Sequence, residues 1–170
     1  CLFMSKYFRA FFFKTSLSAF RTAILTNDIN RICQILDVEH RYLSKQIDHH
    51  GNTALLFAIQ YSSLLTIRIL LEQGAQPDQV NPLTFQTPLY VLSCQEFDSA
   101  YEIAQLLLEY GAYVDKPSTV FNRDDNNEEY LTRETPLMTA VRMKNHRLAR
   151  LFLENKANVN YCDKQTEHRP

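Results

Sequence analysis

Three glycines and six prolines in 170 residues are too few turn-formers for a sandwich or barrel of many short strands, whose connections use both heavily. Helices are the expectation. No Cys-x-x-Cys pair occurs: Cys1, Cys33, Cys94 and Cys162 stand far apart, which argues against a zinc site or a redox motif and reads as free thiols in a reducing compartment. No run of 18 apolar residues is present, so no segment has the composition of a membrane-spanning helix. With a formal net charge of −1, no global bias points to nucleic acid. Gly-x-Ser-x-Gly, His-Glu-x-x-His and phosphate-loop motifs are missing, which argues against catalysis within this segment.

What is there is enough apolar surface for a folded chain: 45% of residues are hydrophobic and 22% charged, a balance that offsets the entropy of ordering. The first 27 residues carry Lys6, Arg9, Lys14 and Arg21 with no acid before Asp28, together with Phe3, Phe8 and Phe11 to Phe13. Such composition suits a membrane-surface helix or a transit peptide. The plainer expectation is a segment, residues 1–16, that caps the end of a stack. A first residue Cys rather than Met reads as a fragment.

The chain repeats itself. Thr53-Ala-Leu-Leu-Phe-Ala58, Thr87-Pro-Leu-Tyr-Val-Leu92 and Thr135-Pro-Leu-Met-Thr-Ala140 each open an apolar segment. Each is followed by a polar break and a second apolar segment, ending in Glu72-Gln-Gly-Ala75, Glu109-Tyr-Gly-Ala112 and Glu154-Asn-Lys-Ala157. Apolar spacings of three and four within each segment predict a helix-turn-helix. Thr followed by Pro is helix-start chemistry, the threonine accepting orphan amide protons and the proline suiting the first helical position. Gly74 and Gly111 predict left-handed helix ends. In the last unit Asn155-Lys156 stands there instead, with asparagine the better suited to that region. An earlier, degraded unit has Ala23, the turn Asn27-Asp28-Ile29, and Ile29, Ile32, Ile35 and Leu36 as its second helix. No such helix pair can bury both its faces alone, so each must stack on a neighbour.

The Thr-Pro-Leu head, the Leu-Leu-Leu-Glu-x-Gly-Ala-x-Val-Asp tail and a period near 33 residues resemble ankyrin repeats. The resemblance covers residues 17–163, as repeats at about 17–46, 47–80, 81–115 and 130–160, with a tail at 164–170 and a fifth unit begun at Tyr161. It implies an all-α solenoid of stacked helix pairs with hairpin-like finger loops. Three features depart from the pattern. Leu56, Tyr90 and Met138 replace the family's usual histidine, three residues are inserted near Gln95 to Asp98, and a loop at 116–133 runs about a dozen residues beyond a standard finger.

The inserted loop packs Asp124, Asp125, Glu128 and Glu129 together. It lacks the alternating ligands and central glycine of a calcium loop and reads as a solvated loop. The sharper reading sets those acids against a basic partner, with Phe121, Tyr130 and Leu131 anchoring it or tucking back on the stack. His49 and His50 are adjacent in an expected extended finger, so they should point apart, and no third metal ligand has a suitable spacing. The resemblance implies a concave partner-binding surface of finger tips and first helices. Carried over by position, it selects His49, His50, Asn52, Gln60 and Tyr61, then Gln86, Cys94 and Gln95, then Glu134, Arg142 and Met143. The expected function is a monomeric cytoplasmic protein-binding scaffold or adaptor, with no catalysis, cofactor, metal or nucleic acid. The alternatives are the substrate-recognition arm of a larger enzyme such as a ubiquitin ligase complex, or a secreted bacterial effector acting in a host cytosol.

Overall fold

The computed structural model describes residues 16–95, 99–123, 127 and 129–162, Glu129 by its backbone alone. The capping segment before Ser16, the insertion at 96–98, the acids Asp124, Asp125 and Glu128, and the tail beyond Cys162 lie outside the described residues. The chain divides at residues 76 and 77 into two compact units.

In the first unit, α1 (Leu17–Leu25) and α2 (Ile29–Leu36) pair, as do α3 (Ala54–Tyr61) and α4 (Leu64–Glu72), and α1 packs on α3. A 3-10 turn at His40–Leu43 joins the pairs. Short polar side chains start the helices: Ser16 Oγ accepts from Ala19 N, Asp28 Oδ1 from Arg31 N and Ser63 Oγ from Thr66 N. The degraded first repeat is thus a real helix pair, with Ile32, Ile35 and Leu36 buried as expected. Asn27, at φ 53°, supplies its turn. The Asn27 Oδ1 also accepts from Ser63 N at 2.9 Å and Thr66 Oγ1 at 2.7 Å, stapling one repeat's turn to the next. Ala54 to Ile59 are all buried, so the first six residues of α3 are apolar on every side and lie in the interior, and only its end at Gln60 and Tyr61 is exposed.

The second unit holds α5 (Pro88–Ser93), α6 (Ala100–Glu109), β1 (Ser118–Arg123), β2 (Glu129–Glu134), α7 (Pro136–Arg142) and α8 (His146–Glu154). The pair α5/α6 stacks on α7/α8, first helix on first and second on second. The tails interlock by a repeated bond: Asp78 Oδ2 accepts from Tyr113 N and Asp115 Oδ1 from Asn158 N, each at 2.9 Å. In both cases the aspartate closing one tail holds the residue after the alanine in the next.

Three details differ from the sequence reading. Thr87 and Thr135 cap their helices, accepting from Tyr90 N and Met138 N at 3.3 Å, but Thr53 makes no side-chain cap bond and its hydroxyl is buried without a partner. Gly74 and Gly111 take the left-handed conformation, whereas in the last repeat Lys156 takes it, at φ 63°. Asn155 stays at φ −89° and donates its side-chain amide to Leu151 O instead. The position within the helix register, not the residue's preference, decides which one turns. Finally, the flanks of the inserted segment are regular: β1 and β2 form an antiparallel hairpin, with Ser118 opposite Glu134 and Arg123 opposite Glu129.

Candidate protein interface

In the first unit the finger is a tight turn built on one carboxylate. Asp48 Oδ1 accepts from His50 N at 3.0 Å and Asn52 N at 2.9 Å, while Oδ2 accepts from Asn52 Nδ2 at 2.8 Å. Gly51, at φ 79°, closes it. The turn brings the His49 and His50 rings to 3.9 Å between centroids, so they do not point apart as an extended finger would place them. Both are exposed. Asn52, chosen as a contact residue, is instead buried, its amide also reaching Gln60 Oε1 at 3.3 Å. Gln60 itself is exposed, and Tyr61 is 53% exposed with its ring 4.8 Å from that of Phe57. This finger and the end of α3 therefore present two histidines, an amide and an aromatic.

In the second unit the finger before α5 is wider. Asn81 is buried, its Oδ1 accepting from Leu83 N and Thr84 N, and Asn81 N donates to Gln86 O at 2.9 Å. Gln86 is half-buried, as are Cys94 and Gln95. Phe85 stands two residues before its threonine, as Gly51 does, and takes the same left-handed region at φ 56° while 51% exposed. A bulky aromatic there is strained. Alignment of Phe85 with Gly51 on their threonines was the signal that could have revealed it.

The hairpin is rooted on this finger. Ser118 is fully buried; its Oγ accepts from Thr87 N at 2.8 Å and lies 3.1 Å from Thr87 Oγ1. Thr119 N donates to Phe85 O at 3.3 Å. At the other foot Glu134 Oε2 accepts from Arg142 Nη2 at 2.9 Å and from Thr139 Oγ1 at 3.0 Å, while Arg142 Nη1 lies 3.7 Å from Met143 Sδ. Glu134, Arg142 and Met143 are thus brought together as a latch between hairpin and α7, and Glu134 is largely covered. Phe121 and Leu131, opposite each other across the ladder, are 64% and 53% exposed. They do not tuck back.

Behind the latch, burial pushes the Tyr90 hydroxyl from 10 up to about 12, with the neighbouring Cys94 charge and a hydrogen bond to Cys94 adding to it. Burial pushes the Cys94 thiol up too, against the lowering effects of Tyr90 and Arg142. A thiol held protonated is a poor nucleophile. Among the described residues no group of three or more His, Cys, Asp or Glu could hold a metal ion, and no helix is long and apolar enough to cross a membrane.

A family model described as ankyrin repeats in three copies matches residues 20–118, and a single ankyrin repeat matches residues 132–164. The chain belongs to the ankyrin-repeat family. Its helix-turn-helix pairs and hairpin loops are the fold of that family, whose repeats are in general protein-protein interaction modules. A search of curated proteins found no match.

Proposed function

We propose that the chain is a non-catalytic, monomeric adaptor that binds a partner protein through its fingers, its first helices and the inserted hairpin. The observation carrying this reading is that exposed side chains of binding character sit on turns whose backbone is fixed by hydrogen bonds to side chains. His49 and His50 ride on the Asp48 turn, and the hairpin on Ser118. Preorganised groups lose little entropy on docking, so a few anchors suffice. The free thiols Cys33 and Cys94 support a reducing compartment such as the cytoplasm.

The test is a partner isolated on immobilised chain and then titrated calorimetrically against wild type and Tyr61→Ala. An exposed aromatic serving as an anchor is worth about 2 kcal/mol, so the variant should bind roughly 30-fold more weakly with an unchanged melting temperature. Equal dissociation constants would remove Tyr61 from the interface and the first unit's finger with it.

A further inference from the structure

We infer that the outer face of α7 and α8 is a stacking surface, made to receive a further helix pair of the same kind that follows in the same polypeptide. This surface extends the array and is separate from the fingers and first-helix ends through which a partner protein is bound.

In a stack of repeats each helix pair is covered by the next, and the pair that ends the stack needs a polar outer face to stay soluble. Repeat register shows which side chains point toward the next pair. Tyr90 and Ser93, three and six residues after Thr87, are only 5% and 1% exposed, α5 being stacked on α7. Leu56 and Ile59, at the same distances from Thr53, are buried as well. Val114, two residues after the tail alanine Ala112, is 8% exposed. In the last repeat the same three positions are held by Met138, Val141 and Val159, and these are 42%, 63% and 69% exposed. No polar residue has replaced them. The last helix pair thus presents an apolar face where a terminal one would be polar.

A polar group beside that face states what kind of cover fits. Asp78 and Asp115 each stand three residues after their tail's alanine, and each accepts the backbone N–H of the following tail. Asn160 stands three residues after Ala157 and is exposed. Its backbone N–H donates to Asn158 Oδ1 at 2.9 Å, which holds the turn, while its side-chain carbonyl has no donor among the described residues and can accept the same bond as the two aspartates. A lone helix would cover the apolar face and leave Asn160 unmet. A helix pair with an ankyrin-type tail meets both: its first helix lies over Met138 and Val141, its tail covers Val159, and the amide after its alanine reaches Asn160 Oδ1. The surface is the interface of α5/α6 on α7/α8 repeated one step further along the stack.

The test supplies the cover. An idealised ankyrin-type helix pair with a polar outer face is fused to the full chain after Pro170, and the extended and unextended chains are compared by urea unfolding and amide exchange. The expected result is that the appended pair unfolds together with α7 and α8 in one transition at a higher midpoint. Exchange of the α7 amides slows by more than roughly tenfold, the least that covering one valine gives. Val141→Lys separates stacking from mere attachment: it leaves the unextended chain's midpoint unchanged, because that side chain stands in water, and removes the gain in the extended one. Asn160→Leu, which keeps the shape and loses the acceptor, gives up part of the same gain. A separate transition for the appended pair, an equal gain in Val141→Lys, or a lowered midpoint for Val141→Lys in the unextended chain would each overturn the inference. So would concentration-dependent association of the unextended chain that slows α7 exchange, since a second copy would then be the occupant. None of these outcomes touches the Tyr61 titration, which tests partner binding independently.

Discussion

Thr53, Thr87 and Thr135 occupy one position in three repeats but meet different surroundings. The Thr87 hydroxyl caps α5 and contacts Ser118, whereas the Thr53 hydroxyl is buried with nothing to bond. Replacing each by valine, close in shape but without the hydroxyl, should act in opposite directions. Thr53→Val removes a buried unsatisfied group and is expected to stabilise by about 1 kcal/mol, while Thr87→Val loses a cap and should destabilise by about 1–2 kcal/mol. Urea midpoints of the two variants decide it; a loss of stability in Thr53→Val would mean that its hydroxyl does find a partner in solution. The threonine head was legible because backbone position follows from the repeat. The fate of each hydroxyl was not, since it depends on what stands across from it. The same holds for the left-handed sites. Gly74 and Gly111 announce theirs, but Lys156 and Phe85 hold theirs by register alone, against their own preference.

At the scale of elements, the inserted segment shows where composition misleads. Its acidic centre drew the reading of a solvated loop, yet the flanks Thr119-Val-Phe121 and Tyr130-Leu-Thr132 are residues that favour strands. Neither flank is long enough to hold a two-stranded ribbon in water. The two feet supply the rest: Ser118 against Thr87, and Glu134 against Thr139 and Arg142. These contacts are far apart in sequence and no local pattern announces them. Ser118→Ala leaves Thr87 N–H buried and unbonded, so stability should fall by about 1–3 kcal/mol. Exchange of the Val120 amide should accelerate beyond that global loss, showing that the hairpin loosens before the helices. If stability falls while Val120 exchange follows only global unfolding, Ser118 supports α5 alone. The helix pairs themselves were readable from apolar periodicity, including the degraded first one, because capping residues at Asp28 and Ser63 agree with the pattern.

For the whole molecule, stability should fall on the alkaline side through a residue standing where the family's histidine does. Tyr90 has a folded-state pKa of about 12 against an ordinary 10, raised first by burial. The neutral hydroxyl is therefore favoured in the folded chain. Its contribution is complete below pH 10 and is lost as pH rises through about 12. Thermal melts of wild type should decline across that window more steeply than those of Tyr90→Phe, which cannot ionise; parallel declines would place the alkaline limit elsewhere. The candidate interface was only partly legible. His49, His50, Gln60 and Tyr61 are exposed where repeat geometry puts them, while Asn52 is turned inward by Asp48 and Glu134 is spent on holding Arg142.

The paired bonds Asp78 to Tyr113 and Asp115 to Asn158 give the second unit a fastening that is independent of the finger loops. Asp115 is joined to the next tail before the chain reaches Ser118, and Thr135 resumes the repeat after Glu134. The chain beyond Ser118 and before Glu134 should therefore tolerate changes in length without shifting the alignment of one helix pair on the next, provided those two feet are kept. Natural variation, or an engineer grafting a foreign loop, could use this span as a socket, with the stack around it unaware of the exchange.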